Sequence, residues 1–159
     1  MNTTKKTIKI ESLLKNKKAF FDYEFIKEFE VWIELLWYEV KSVKASHVNL
    51  KWSFITIREW NLYIQKFHIS PYKMLPNKSI VDPLRERKLF LHKSEIFYLD
   101  QKLKEKWFTL IPVEVYTKWN LIKLRIALAK GKKLYEKKQI IKEREIDKSA
   151  KIEASKFLR

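Results

Sequence analysis

Apolar residues in this chain fall into short runs divided by polar turns, and their period changes from one segment to the next. Over residues 20–36, aromatic and β-branched residues alternate, with interruptions, against Lys and Glu, which predicts two strands or one long bent one. Residues 39–46 place Val40 and Val43 three apart, the spacing of a short helix. Phe54-Ile55-Thr56-Ile57 and Leu62-Tyr63-Ile64 flank residues 58–61 and form a hairpin by spacing. Pro71, Pro76 and Pro83 punctuate residues 68–83, which therefore read as a loop. Asp82 followed by Pro83 is a helix-start signal. It introduces Leu84, Leu91, Ile96, Leu99 and Leu103, closing on Lys102, Lys104 and Lys106, a helix with room for a break near Ser94. Residues 109–116 and 121–128 are two further strands around a short connection at 117–120.

About six strands, mostly antiparallel, with two helices make the fold mainly β (α+β). A small closed or partly open barrel with flanking helices is the economical architecture, because closure removes exposed sheet edges. Residues 1–15, with Lys5, Lys6, Lys9 and Lys15 and few apolar anchors, read as a flexible N-terminal arm. Residues 16–133 hold the barrel, and residues 134–159 form a basic tail. Within 130–159, 11 Lys plus Arg face 5 acids, and Ile140, Ile141, Ile146, Ile152, Phe157 and Leu158 form no continuous stripe. Such a segment is helix-prone yet expected to be disordered alone, ordering as a helix against a polyanionic partner.

Composition sharpens this. The 159 residues carry 35 Lys plus Arg against 19 Asp plus Glu, a formal charge of +16, with a pI near 9.9. A polyanion is the leading partner, nucleic acid before an anionic membrane surface. No cysteine is present, which removes disulfides, thiolate zinc sites and cysteine nucleophiles together. A single glycine, where average usage would give about eleven, removes Gly-rich phosphate loops, dinucleotide fingerprints and the nucleophile elbow. No run approaches the ~18 apolar residues of a membrane span, and Ile8, Ile10, Leu13 and Leu14 are too scattered for a secretory core, so a cytoplasmic, soluble protein is expected.

Catalytic chemistry finds no support. His47, His68 and His92 lie far apart and form no helical metal pair, and the acids are interleaved with lysines. No catalytic residue, metal or cofactor is expected. What remains is lysine interleaved with aromatic rings, at Lys17-Lys18-Ala19-Phe20-Phe21, Lys66-Phe67-His68 and Tyr72-Lys73, offering cations for phosphates and rings for unpaired bases. Each run alone reads as a solvated face over core aromatics; the net charge lifts the nucleic-acid reading above that.

Five words of sequence, in order, carry a resemblance. They are Asn16-Lys17-Lys18-Ala19, Glu39-Val40-Lys41-Ser42, His68-Ile69-Ser70-Pro71-Tyr72, Asp82-Pro83-Leu84-Arg85-Glu86-Arg87-Lys88-Leu89 with Leu91-His92-Lys93, and Ala127-Leu128-Ala129-Lys130-Gly131-Lys132-Lys133-Leu134-Tyr135. Over roughly residues 16–145 the chain resembles the SsrA-binding protein family (small protein B), the bacterial partners of transfer-messenger RNA. The resemblance implies an oligonucleotide-binding-type barrel. It also implies binding to the tRNA-like domain of that RNA, and its delivery to stalled ribosomes for trans-translation, with rescue and peptide tagging. Implied RNA contacts are Asn16, Lys17, Lys18, Glu30, Lys41, Ser42, Arg87, Lys88, Lys130, Gly131, Lys132 and Lys133. Lysine and arginine would hold phosphates and sugars, while Asn16 and Glu30 would bond base or ribose edges. In the tail, Tyr135, Lys137, Lys138, Ile141, Arg144, Ile146, Lys148 and Ile152 would meet the ribosome, in the small-subunit decoding region and messenger channel. One protein per RNA, as a monomer, is implied.

Two words depart from the family. Phe20 and Phe21 stand where a basic residue and then His are common, and Tyr135-Glu136-Lys137-Lys138 replaces Tyr-Asp-Lys-Arg, keeping charge but losing a bidentate arginine. A third departure is systematic. Trp32, Trp37, Trp52, Trp60, Trp107 and Trp119 all fall where the family has, or readily accepts, glycine. Trp60 and Trp119 each precede Asn in a short hairpin connection, where φ > 0 and hence Gly or Asn is usual. Trp107 follows a Lys-rich helix end, the place where glycine caps. The six are expected to be glycine in the living protein, from a lineage that decodes UGA as glycine; the plainer reading makes them core or base-stacking tryptophans.

Two other functions fit the composition: a general barrel-type RNA-binding translation factor, and a peripheral membrane protein using its basic tail. The second needs a hydrophobic helix face that the tail's isoleucines do not make.

Overall fold

The computed structural model describes residues 10–76 and 81–157. Among these residues nine strands run in chain order: β1 (Ile10–Lys15), β2 (Tyr23–Ile33), β3 (Val48–Asn49), β4 (Phe54–Arg58), β5 (Asn61–Gln65), β6 (His68–Ile69), β7 (Arg87–Phe90), β8 (Phe108–Lys118) and β9 (Leu121–Gly131). Four helices, α1 (Lys17–Asp22), α2 (Trp37–Lys44), α3 (Lys93–Leu103) and α4 (Leu134–Phe157), are set among them.

Six strands close a ring in the order β8-β4-β5-β7-β2-β9, with β9 pairing back onto β8, so the expected antiparallel barrel is present. The small β3–β6 sheet stands apart from it. Leu62, Ile64, Leu89, Leu99, Leu110, Leu124, Ile126 and Leu128, all at 0–1% exposure, fill the barrel with their neighbours. The β8–β9 pair buries its other face as well, because α1 lies across it. There Ala19 packs on Ile111, Val113, Ala127 and Ala129. Burial on both faces is why the alternation in residues 121–128 is weak and small residues recur.

Two local expectations change and a third is narrowed to one of its alternatives. The proposed helix start at Asp82–Pro83 is a turn: Asp82 accepts the Leu84 N–H at 2.9 Å and the chain then extends as β7. Arg87 and Leu89 point inward and Phe90 outward, the period of a strand. Closure of the ring between β5 and β2 requires a strand there, and the helix begins only at Lys93. Residues 20–36 hold one bent strand after a helical turn, its bend a register shift between Phe25 and Lys27. Residues 10–15, read as part of the arm, form β1 along β8, with Leu13 and Leu14 packed on the core; residues 1–9, with Lys5, Lys6 and Lys9, lie outside the described residues, as do residues 77–80 of the proline-rich loop.

The hairpin around residues 58–61 forms as expected, with Glu59 and Trp60 both at positive φ (48° and 59°). The β8–β9 connection repeats it, with Trp119 and Asn120 at 52° and 63°. Trp107 lies in the turn between α3 and β8 but is not among the positive-φ residues, so the αL cap expected there is not formed.

Candidate nucleic-acid interface

Two groups of candidate residues lie near opposite ends of β2. At its start, Tyr23 and Glu24 pair with Gly131 and Lys130. The Lys132 N–H donates to the Asp22 carbonyl at 2.9 Å and its ammonium to the Phe20 carbonyl at 3.1 Å. This joins Lys130, Lys132 and Lys133 to α1, which carries Lys17 and Lys18. Lys17, Lys18, Lys130 and Lys133 are exposed and Lys132 half-buried. Asn16 does a different job from the one expected. Its Oδ1 accepts the Ala19 N–H at 3.2 Å, capping α1, and its Nδ2 donates to the Pro112 carbonyl at 3.0 Å. The amide is committed to the fold, where it caps the helix that carries the two lysines. Beside them is a cleft of about 200 Å³ walled by Asn16, Lys18, Ala19, Trp52, Ser53 and Phe54 among others.

Glu30 lies on the outer face of β2, six residues and about 20 Å along the strand from Glu24. It accepts hydrogen bonds from the Lys123 ammonium and the Tyr116 hydroxyl, and Lys118 stands 3.5 Å away. Hydrogen bonding from Lys123 first, then from Tyr116, holds its carboxyl down to about 2, well below the carboxylate range. Burial, then the charge and hydrogen bond of Glu30, push the Tyr116 hydroxyl up. Glu30 is thus ionised at all physiological pH and remains 40% exposed, free to accept a further donor. A second pocket adjoins it, lined by Trp32, Phe90, Leu91 and His92. An anionic acceptor set among Lys118, Lys123 and Arg125 suits a ligand that brings phosphate to the cations and an N–H or O–H to the carboxylate.

Two expected contacts are buried, and this corrects their assignment. Arg87 is 1% exposed. Its guanidinium reaches Glu39 at 2.7 Å and donates to the carbonyls of Phe67 (2.7 Å), Arg85 (2.8 Å) and Pro83 (3.3 Å). No donor is left for RNA. Burial pushes its pKa down, opposed by Glu39. Burial pushes Glu39 up, yet Arg85, the Leu36 N–H and Arg87 outweigh it and hold that carboxyl low. Ser42, also 1% exposed, lies on the buried face of α2 with Glu39 and Val43. Lys41 beside it is exposed, and Lys88 on β7 is half-buried near the Phe90 ring.

The tail is one helix, α4, with no fully buried residue among those whose side chains are described. Its first turns meet α1: Lys137 pairs with Asp22 at 2.8 Å, and the Arg144 guanidinium lies 5.4 Å from the Phe21 ring. Tyr135, Lys138, Ile141, Ile146, Lys148 and Ile152 are exposed. At about 100° per residue, Ile141 and Ile152 lie within about 20° of each other while Ile146 points about 140° away from Ile141, so the three form no single seam.

Lys118, Lys123, Arg125 and Tyr116 were not singled out in the sequence. A signal was available: Glu28 and Glu30 on one strand, Lys123 and Arg125 on another, each pair two apart and thus on one face. Among the described residues no group of three or more His, Asp or Glu could hold a metal ion, and no helix is long and apolar enough to cross a membrane.

Comparison with known proteins gives one family. The SmpB protein family model matches residues 13–156. An SsrA-binding protein of Caldicellulosiruptor saccharolyticus is 42% identical over 94% of this chain and 94% of its own length. One from Sulfurihydrogenibium sp. is 46% identical over 86% of this chain and 91% of its own. A solved structure described as "tmRNA-SmpB: a journey to the center of the bacterial ribosome" superposes with a TM-score of 0.64 at 38% identity, covering 76% of this chain and 85% of that one.

Proposed function

This chain belongs to the SmpB protein family, and on that premise we propose that it binds transfer-messenger RNA and acts with it on the bacterial ribosome in trans-translation. The observation that carries the reading is the extent of the likeness: relatives named SsrA-binding proteins align over barrel and tail together, 94% of the chain. The chain acts as a binding protein rather than an enzyme, in the cytoplasm where ribosomes work, and as a monomer on one RNA.

Within that function, the barrel takes the tRNA-like domain of the RNA. Lys17, Lys18, Lys130, Lys132 and Lys133 neutralise phosphates at one end, with Gly131 letting the backbone pass closely. Glu30 reads a base or ribose edge at the other, seconded by Lys123, while Lys41 and Lys88 hold the flanking backbone. The tail helix, whose first turns meet α1, is fixed in one direction on the ribosome. There Tyr135, Lys137, Lys138, Ile141, Arg144, Ile146, Lys148 and Ile152 line the contact in the messenger channel and decoding region. The free energy of that contact offsets the ordering entropy.

The test is a competition binding titration of the full chain against the tRNA-like domain and an unrelated folded RNA of equal length, at several salt concentrations. The proposal expects preference for the tRNA-like domain to persist as salt rises while both affinities fall. Equal affinity for the two RNAs at every salt would make this a general RNA-binding protein.

A further inference from the structure

All six tryptophans are exposed: Trp32 43%, Trp37 63%, Trp52 66%, Trp60 59%, Trp107 73% and Trp119 63%. Tryptophan is ordinarily among the most buried residues, and none contributes to this core. Their backbones are as unusual. Trp52, Trp60 and Trp119 have φ of 67°, 59° and 52°, so tryptophan supplies three of the seven positive-φ residues described. A bulky side chain there is a true outlier. Trp60 and Trp119 sit in two-residue hairpin connections whose central residues both have positive φ, the geometry that selects Asn-Gly or Gly-Asn. Trp52 closes a tight turn in which Asn49 accepts the Lys51 N–H at 2.8 Å and Leu50 the Ser53 N–H at 3.1 Å. The sole glycine, Gly131, has no positive φ and open space where a Cβ would stand. Glycine is missing where the backbone asks for it and present where it does not.

We propose that all six positions are glycine in the living protein, its host reading the UGA codon as glycine. One codon with one altered meaning explains why every tryptophan behaves alike, including the three whose φ is ordinary. A surface built for base stacking would instead gather its rings on one face, whereas these are spread over two hairpin tips, a helix start, two turns and a strand.

The exchange alters the interface. The Lys18 ammonium sits 3.2 Å above the Trp52 ring, which walls the cleft beside Asn16. The Lys123 ammonium sits 4.3 Å above the Trp32 ring, which lines the pocket beside Glu30. With glycine at both positions Lys18 is released, Lys123 is uncovered while still held by Glu30, and both clefts open toward an RNA strand. This half rests on the RNA-binding reading; the identity of the residues does not.

Two experiments keep them apart. The gene should carry UGA at all six positions, and protein purified from its host should lack tryptophan fluorescence and be lighter by six tryptophan-to-glycine differences. A UGG codon at any of these positions, or one tryptophan-containing peptide spanning them, overturns the proposal. Separately, the chain as written and a variant with Trp32→Gly and Trp52→Gly are titrated with the tRNA-like domain. At least a several-fold gain in affinity is expected for the variant. Unchanged or weaker binding would overturn the opening of the clefts while leaving the codon assignment to the mass and the gene.

Discussion

The barrel and the tail treat charge in opposite ways. Inside the barrel, Arg87 and Glu39 are 1% and 2% exposed, and the protein itself supplies every partner the guanidinium uses. On α4, outward-facing lysines and isoleucines are left to solvent, and contacts to α1 orient its base. Charge buried in the barrel is answered internally, whereas most of the charge on α4 is left to solvent. Burial separates candidates that look alike in sequence, since Arg87 and Lys88 are neighbours and only the second reaches solvent.

The largest effect should come from breaking the answered charge. Arg87→Met leaves Glu39 buried with Arg85 alone, and loss of one member of a buried pair costs about 3–5 kcal/mol, read as a fall in the denaturation midpoint. Adding Glu39→Leu should restore most of that loss. RNA affinity of the folded Arg87→Met protein should not change, because the guanidinium never reaches the surface.

Glu30 joins the two regimes, held by the barrel yet open to solvent. Glu30→Gln should reduce discrimination between cognate and unrelated RNA by about 10- to 100-fold, the worth of one hydrogen bond to a charged group. The same variant tests the depressed carboxyl. Since the folded pKa lies below 4.5, at about 2, the stabilisation is full above 4.5 and is lost as pH falls toward about 2. The stability gap between native and variant protein should close across that window, as followed by thermal melts.

Smaller still is the effect of removing purely positional charge. Lys132→Ala with Lys133→Ala should lower the slope of log affinity against log salt by about 1.4–1.8, weakening all RNA ligands alike. Smallest is Asp22→Ala, which removes a half-buried bridge at the protein surface worth about 1 kcal/mol and should barely move the melting temperature. It should nevertheless loosen the direction of α4, visible as a broader spin-label distance between α1 and α4.

Much of this architecture is legible in the chain because it rests on local periods. The hairpin around residues 58–61 and the β8–β9 pair are short-range, and alternation with a turn suffices to find them. The segment at Arg87–Phe90 is not legible that way: four residues of strand follow a proline signal that also opens helices, and only ring closure decides between them. β1 escapes notice because its two leucines draw support from a distant strand. At the interface, the lysine words are visible locally, whereas the assembly of Glu30 with Tyr116, Lys118 and Lys123 depends on pairing across more than eighty residues. Arg87 and Ser42 differ from their sequence reading for the converse reason, since burial in the fold cannot be read from a basic word.

The division between barrel and tail is tested most directly by truncation after Lys133, with two readouts on one protein: affinity for transfer-messenger RNA, and peptide tagging on ribosomes stalled without messenger RNA. The account predicts nearly unchanged affinity and no tagging. A full-length protein with residues 134–159 scrambled at constant charge should fail at tagging as well, if Ile141, Ile146 and Ile152 make particular contacts. Full tagging by the truncated protein would contradict the account, because the barrel alone would then perform the work assigned to the tail.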